Sequence, residues 1–158
     1  MTPYEALLEY AVNEGIKVVD FELGERMKGL YCDGYIFLNK DCDEIEKRCI
    51  LAEELGHHYT ASANIVRLDT MDKKKQELLG HRWGIEKLLP LSYIIDAIID
   101  GCNGFAELAE HLEVTPEYLQ EAIVYYGQKH GSGMEYRGHL IYFSEESMIV
   151  SPIMDEVM

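Results

Sequence analysis

One stretch restricts what this chain can become more than any other: Leu51-Ala-Glu-Glu-Leu-Gly-His-His-Tyr-Thr60. Two adjacent acids, Glu53 and Glu54, are followed by two adjacent histidines, His57 and His58. The apolar spacing around them predicts one helix, from about Asp43 to about Ala61. Residues four apart share a helix face, so Glu53 stands above His57 and Glu54 above His58. A carboxylate and an imidazole are thereby offered to one cation, with a second carboxylate one step round the helix. The H-E-x-x-H pattern of metalloproteases has this geometry: its histidines hold zinc and the Glu between them polarises the attacking water. Here the frame reads Glu53-Glu54-Leu55-Gly56-His57, with glutamate in place of the first histidine.

The stripe Ile45, Cys49, Ala52, Leu55, Gly56 and Tyr59 is expected to be the buried face of that helix. Glu53 and His57 then lie beside it, semi-buried, where charged groups need partners. An isolated E-E-x-x-H string can equally be an acidic surface helix with a histidine near the core. Three features weigh against that: the flanking position, a glycine in mid-helix, and acids and histidines on the next helix. Glycine in a helix interior costs about 1 kcal/mol relative to alanine. Gly56 therefore marks close approach of another backbone, expected to be an active-site strand. Catalytic zinc takes three protein ligands and a water, so a third donor must come from elsewhere. Glu77, twenty residues after His57, reaches the site if the two helices pair antiparallel. His81, one turn further on, is the reserve, and Glu77 could instead pair with Lys73 at the surface. His58 is read as a supporting group, as a substitute donor with Glu54, or as exposed. His111, His130 and His139 are isolated and read as surface groups.

Local signals place the rest. Thr2-Pro3-Tyr4-Glu5 is a capping box that opens a first helix, ending near Asn13-Glu-Gly15. Ile16–Phe21 is β-branched and predicts a strand. Leu30–Leu38 predicts a hairpin around Asp33-Gly34. Asp43 with Glu46 caps the motif helix. Ile65–Asp69 reads as a connector, Asp72–Leu89 as a helix stopped before Pro90, and Leu91–Ile99 as a short apolar helix. Residues 105–126 have the pattern of two helices around a turn, with Thr115 capping the second. That second helix offers Glu117, Gln120 and Glu121 and no Lys or Arg before Gly127, so it is unsuited to reading DNA. It reads as a structural pair or a protein-binding surface. Gly127–Gly133 is expected to be a loop, Tyr136–Phe143 a strand, and the tail from Ser144 acidic and partly frayed.

A formal charge of −15 opposes phosphate and argues against nucleic acid or an anionic membrane as partner. No secretory signal opens the chain, and no apolar run approaches the roughly 20 residues that span a bilayer. The four cysteines, Cys32, Cys42, Cys49 and Cys102, lack C-x-x-C spacing and are expected to be reduced thiols in a cytoplasm.

Ile50-Leu-Ala-Glu-Glu-Leu-Gly-His-His-Tyr-Thr60 resembles the metal-site helix of the ImmA/IrrE metallopeptidases, in the branch found in phages and mobile elements of Gram-positive bacteria. Glu77-Leu-Leu-Gly-His-Arg-Trp-Gly-Ile-Glu-Lys-Leu-Leu-Pro90 is similar to that family's second conserved helix, which carries the third, acidic ligand. The resemblance spans roughly residues 1–90. It implies an α+β fold: a compact zincin-like domain at 1–90 with a small antiparallel sheet and a metal-site helix. A small helical, helix-turn-helix-like region with a terminal strand, 91–158, is expected to pack on it. It also implies a cytoplasmic metallo-endopeptidase that cuts a helix-turn-helix repressor of a phage or mobile element. Carried over by position, Glu53 is the first metal ligand, Glu54 the general base, His57 the second ligand and Glu77 the third. Glu53 departs from the family's usual histidine. Two carboxylates and one imidazole make zinc a weaker Lewis acid and make manganese or iron plausible alternatives. The runner-up reading is a weak or inactive peptidase-like module that binds a repressor without cutting it.

Overall fold

The computed structural model describes residues 1–63 and 70–154. They form two compact units, Met1–Pro90 and Leu91–Met158. The expected connector Ile65–Asp69 lies outside the described residues.

In the first unit α1 (Pro3–Asn13) starts where the sequence says it must: Thr2 Oγ1 accepts the Glu5 amide at 3.1 Å and Glu5 Oε2 accepts the Thr2 amide at 2.8 Å. Strands β1 (Lys17–Phe21), β2 (Gly29–Cys32) and β3 (Tyr35–Asn39) form one sheet in the order β1-β3-β2. The β2–β3 hairpin turns on Asp33 (φ 48°) and Gly34 (φ 83°), both left-handed, as a type I′ turn requires. It is antiparallel, as expected; β1 adds to the other side of β3 in parallel, Lys17 against Tyr35 through Phe21 against Asn39. The side chains alternate accordingly. Ile36 and Leu38 point into the core, while Val19, Phe21, Leu30 and Tyr35 stay exposed on the outer face.

The motif helix α2 (Glu44–Ala63) begins after Asp43, whose Oδ1 accepts the Glu46 amide at 2.9 Å. Its buried residues are Cys49, Leu51, Ala52, Leu55 and Gly56. Ile45, expected in that stripe, is 39% exposed: it sits in the first turn, before the helix reaches the core. Helix α3 (Thr70–Leu88) packs along α2, and its chain ends before Pro90.

The second unit departs from the expected helical region with one terminal strand. After α4 (Leu91–Ile99), α5 (Phe105–Leu112) and α6 (Pro116–His130), a whole antiparallel sheet follows: β4 (Gly133–Tyr136), β5 (His139–Phe143) and β6 (Met148–Pro152), in the order β4-β5-β6. Two local features explain the difference. Gly127 is helical, not a loop residue: α6 runs on to His130, and a methyl group at 127 would make only an ordinary 3.4 Å contact with Phe143 Cβ of β5. Arg137 (φ 50°) and Gly138 (φ 71°) make a second tight turn, which divides the expected strand Tyr136–Phe143 into a hairpin. The tail's Met148–Pro152 pairs with β5 instead of fraying. Thr115 Oγ1 caps α6 through the Tyr118 amide at 3.1 Å, as its position before Pro116 demands. All four cysteines are free thiols, and no described helix is long and apolar enough to cross a membrane.

Candidate metal and proton-transfer site

Three glycines set the distance between α2 and α3. A Cβ on Gly56 would collide with the backbone carbonyl of Gly80, and one on Gly84 would lie 2.9 Å from the carbonyl oxygen of Ala52. Contacts at 56/80 and 52/84 run in opposite chain directions, so the helices are antiparallel. The close approach signalled by Gly56 is therefore made by a helix backbone, not by the active-site strand expected from sequence. A strand does come close, but to the next face of α2: a Cβ on Gly29 of β2 would strike Ile50 Cγ2 and lie 3.3 Å from Glu54 Oε1.

The four motif residues consequently divide between two neighbours. Glu53 and His57 turn toward α3. Glu53 Oε1 is 3.9 Å from His81 Nδ1, and a methyl group on Gly80 would sit 2.7 Å from His57 Nδ1. Glu54 and His58 turn toward β2. Glu54 accepts a hydrogen bond from the Tyr31 backbone N–H, and His58 Nδ1 is 2.7 Å from the Tyr31 hydroxyl. Strand β2 pairs only with β3 among the described strands, so Glu54 and His58 flank the edge of the sheet.

Glu54 is the electrostatically unusual member. Burial pushes its carboxyl up to about 7, the neighbouring Glu53 carboxylate adds to the rise, and the Tyr31 N–H opposes it. A carboxyl with that value exchanges protons readily near neutrality, which is what a general acid or base needs. His58 belongs to an aromatic cluster: it meets Tyr31 and Tyr59 edge-on, Tyr59 tilts over Trp83 at 4.8 Å between ring centres, and the Tyr10 and Tyr59 hydroxyls are 3.1 Å apart.

The residues assigned from sequence thus meet in pairs. Glu53 and His57 stand four residues apart on α2, and Glu53 Oε1 lies 3.9 Å from His81 Nδ1 across the helices. Glu77 is exposed to solvent. Among the described residues no three His, Cys, Asp or Glu side chains gather closely enough to hold one ion. Carboxylate and imidazole nevertheless suit a divalent ion in kind, and Gly80 packs directly against the His57 ring. Tyr31, Gly29, Gly80 and Gly84 were not singled out by sequence reasoning. The Gly80-x-x-x-Gly84 spacing was the available signal for the last two, since it puts both glycines on one face of α3.

A family model described as IrrE N-terminal-like domain, Peptidase_M78, matches residues 11–123, more than two thirds of the chain. No curated protein matches it.

Proposed function

The chain belongs to the IrrE N-terminal-like domain family, Peptidase_M78, and from that premise we propose that it is a metal-dependent endopeptidase. Its substrate on this reading is a protein, a helix-turn-helix repressor of a phage or mobile element, and its metal is zinc, with manganese or iron as alternatives. The observation that carries the reading is Glu54, a half-buried carboxyl raised to about 7 at the edge of a sheet. Glu53 and His57 would hold the ion from α2, with α3 supplying the remaining donor. A bound divalent ion supplies Lewis acidity for water and carbonyl activation.

The chain's own part is positioning and proton transfer. An extended substrate segment can add to the open edge of β2, where backbone hydrogen bonds fix it independently of its side chains. Glu54, held by the Tyr31 N–H, takes the proton of the attacking water and returns it to the leaving amine. His58, hydrogen-bonded to the Tyr31 hydroxyl on the same strand, would donate to the developing oxyanion.

The test is incubation of the zinc-loaded protein with the repressor encoded beside it, comparing wild type with Glu54→Gln. Site-specific cleavage by wild type, absent in Glu54→Gln while zinc is retained, is the expected outcome. Intact repressor under both conditions removes the endopeptidase reading.

Two observations favour a binding module as the second reading. The first-ligand position is glutamate, and the outer sheet face exposes Val19, Phe21, Leu30 and Tyr35, a surface suited to holding a protein. That module would form a stable complex with the repressor, and Glu54→Gln would leave its effect unchanged.

A further inference from the structure

We propose that the second unit holds a docking cavity for a basic protein segment, with one large apolar side chain inside and the flanking Lys or Arg residues at its mouth. The cavity measures about 240 Å³ and lies among the end of α4, the loop that follows it, α5, α6 and the β5–β6 turn. Ile98, Phe105, Leu108, Ile123 and Met148 form its apolar lining. Gly104, Phe105, Glu146 and Ser147 are exposed, so the cavity opens to solvent. Its mouth is held in place: Gln120 Nε2 donates to the Glu146 carbonyl at 2.6 Å, and the Ser144 amide donates to the Ser147 carbonyl at 2.9 Å.

Size and charge select the occupant. An apolar cavity of about 150 Å³ takes a benzene ring, so this one admits an indole, or a phenyl ring with its methylene. Pockets for whole drug-sized molecules run from about 300 Å³ upward, which favours a single side chain over a free ligand. The mouth is acidic. Glu146 belongs to the lining, and Glu107 Oε2 accepts the Asn103 amide at 3.3 Å, beside the lining residues Cys102 and Gly104. Across residues 91–158 twelve Asp or Glu stand against Lys129 and Arg137. Arg137 is bound to Asp96 at 2.7 Å, and neither cation borders the cavity. Such a field repels acidic partners and draws cationic ones. A segment with an apolar anchor between cations satisfies the lining and the mouth together, and its capture does not involve Glu54.

The test titrates the full chain by calorimetry, at low salt, with the end-capped peptide Lys-Lys-Trp-Lys-Lys. Saturable one-to-one binding is expected. Exchange of the Trp for Ala should weaken it about 10-fold or more, the scale of burying one large apolar side chain. Exchange of every Lys for Glu should abolish measurable binding. Equal affinity of the Trp and Ala peptides would show a charge effect that does not use the cavity. Equal affinity of N-acetyltryptophanamide would show a site for small apolar molecules. Either result overturns the proposal, as does absence of binding. Affinity that falls as protein concentration rises would assign the cavity to a second copy of the chain, with the same consequence.

Two variants locate the binding on the protein. Cys102→Trp places a ring in the cavity and should weaken the basic peptide about 10-fold or more. Because a new ring in the second unit can also unfold it, the double variant Glu107→Lys with Glu146→Lys changes exposed positions only. That variant should weaken the basic peptide about 3- to 10-fold at low salt, and less as salt rises. It should also bind the Glu-Glu-Trp-Glu-Glu peptide measurably. Unchanged behaviour toward both peptides in this folded variant overturns the assignment.

Discussion

The carbonyl oxygen of Gly80 occupies the space that a side chain on Gly56 would need. One glycine from each helix thus determines how near α2 comes to α3, and that separation determines whether Glu53 can face His81. In an ordinary helix interior, Gly→Ala is stabilising by about 1 kcal/mol. At Gly56 the new methyl group meets backbone atoms, which cannot rotate away as the end of a side chain can.

Gly56→Ala is therefore expected to destabilise the first unit by at least about 2 kcal/mol, as overpacking against a rigid neighbour does. For a unit of this size that corresponds to a fall in Tm of about 8 °C or more. Thermal unfolding followed by circular dichroism checks it. A Tm equal to or above wild type would mean the helices are not in this contact.

Glu54 makes stability depend on pH in a direction opposite to most carboxylates. Its folded value is about 7 against 4.5 for the unfolded chain, so the folded state binds this proton more tightly. Its contribution is fully present below pH 4.5 and is lost as pH rises through 7. Glu54→Gln removes the cost of burying the charge. In protein stripped of metal, the variant should gain on wild type as pH rises, levelling off near pH 8. The difference between unit-pH extremes has a ceiling of about 3 kcal/mol. Urea unfolding at pH 5 and pH 8 measures it, and a difference that does not change with pH refutes the assignment of the charge cost to Glu54.

The helix starts at Thr2 and Thr115 and the Asp33-Gly34 turn are legible in sequence because each is decided by residues three or fewer apart. The α+β class follows from the same signals. What sequence does not disclose depends on partners distant in the chain. The parallel pairing of β1 with β3 is one such case, and the glycine fit between residues 56 and 80 is another. Gly127 is misleading because a glycine inside a helix and a loop glycine look alike in sequence. Arg137 hides a turn because non-glycine residues seldom take positive φ. At the site, the sequence shows that Glu53 pairs with His57 and Glu54 with His58. It cannot show that the first pair faces a helix and the second a strand, which is the division the proposed function draws on.

Asn39 is a further position where a distant contact decides the outcome. It is 6% exposed, and its Nδ2 donates to the carbonyls of Gly24 at 2.7 Å and Met27 at 3.0 Å, while its Oδ1 accepts the Asp41 amide at 3.1 Å. One side chain thus fastens the β1–β2 connection to the end of β3. Asn39→Ala would leave these groups without that partner, at a cost of about 2–4 kcal/mol. Urea unfolding gives the magnitude, and hydrogen exchange should quicken first in residues 22–28. A loss under 1 kcal/mol would show that water replaces the amide without penalty.

Gly29 ties the strand edge to both Ile50 and Glu54, and the two neighbours can be separated by experiment. A methyl group there would strike Ile50 Cγ2 and would also lie 3.3 Å from both Cγ and Oε1 of Glu54. Gly29→Ala is expected to cost about 1–3 kcal/mol. Shortening Ile50 to alanine removes the harder collision, so the same substitution in an Ile50→Ala background should cost at least about 1 kcal/mol less, the coupling that a double-mutant cycle isolates. The pressure on Glu54 would remain, because that contact does not involve Ile50. The double variant should thus recover stability without recovering cleavage, whereas independent effects in the cycle would show that Gly29 is required for its backbone and not for the space it leaves.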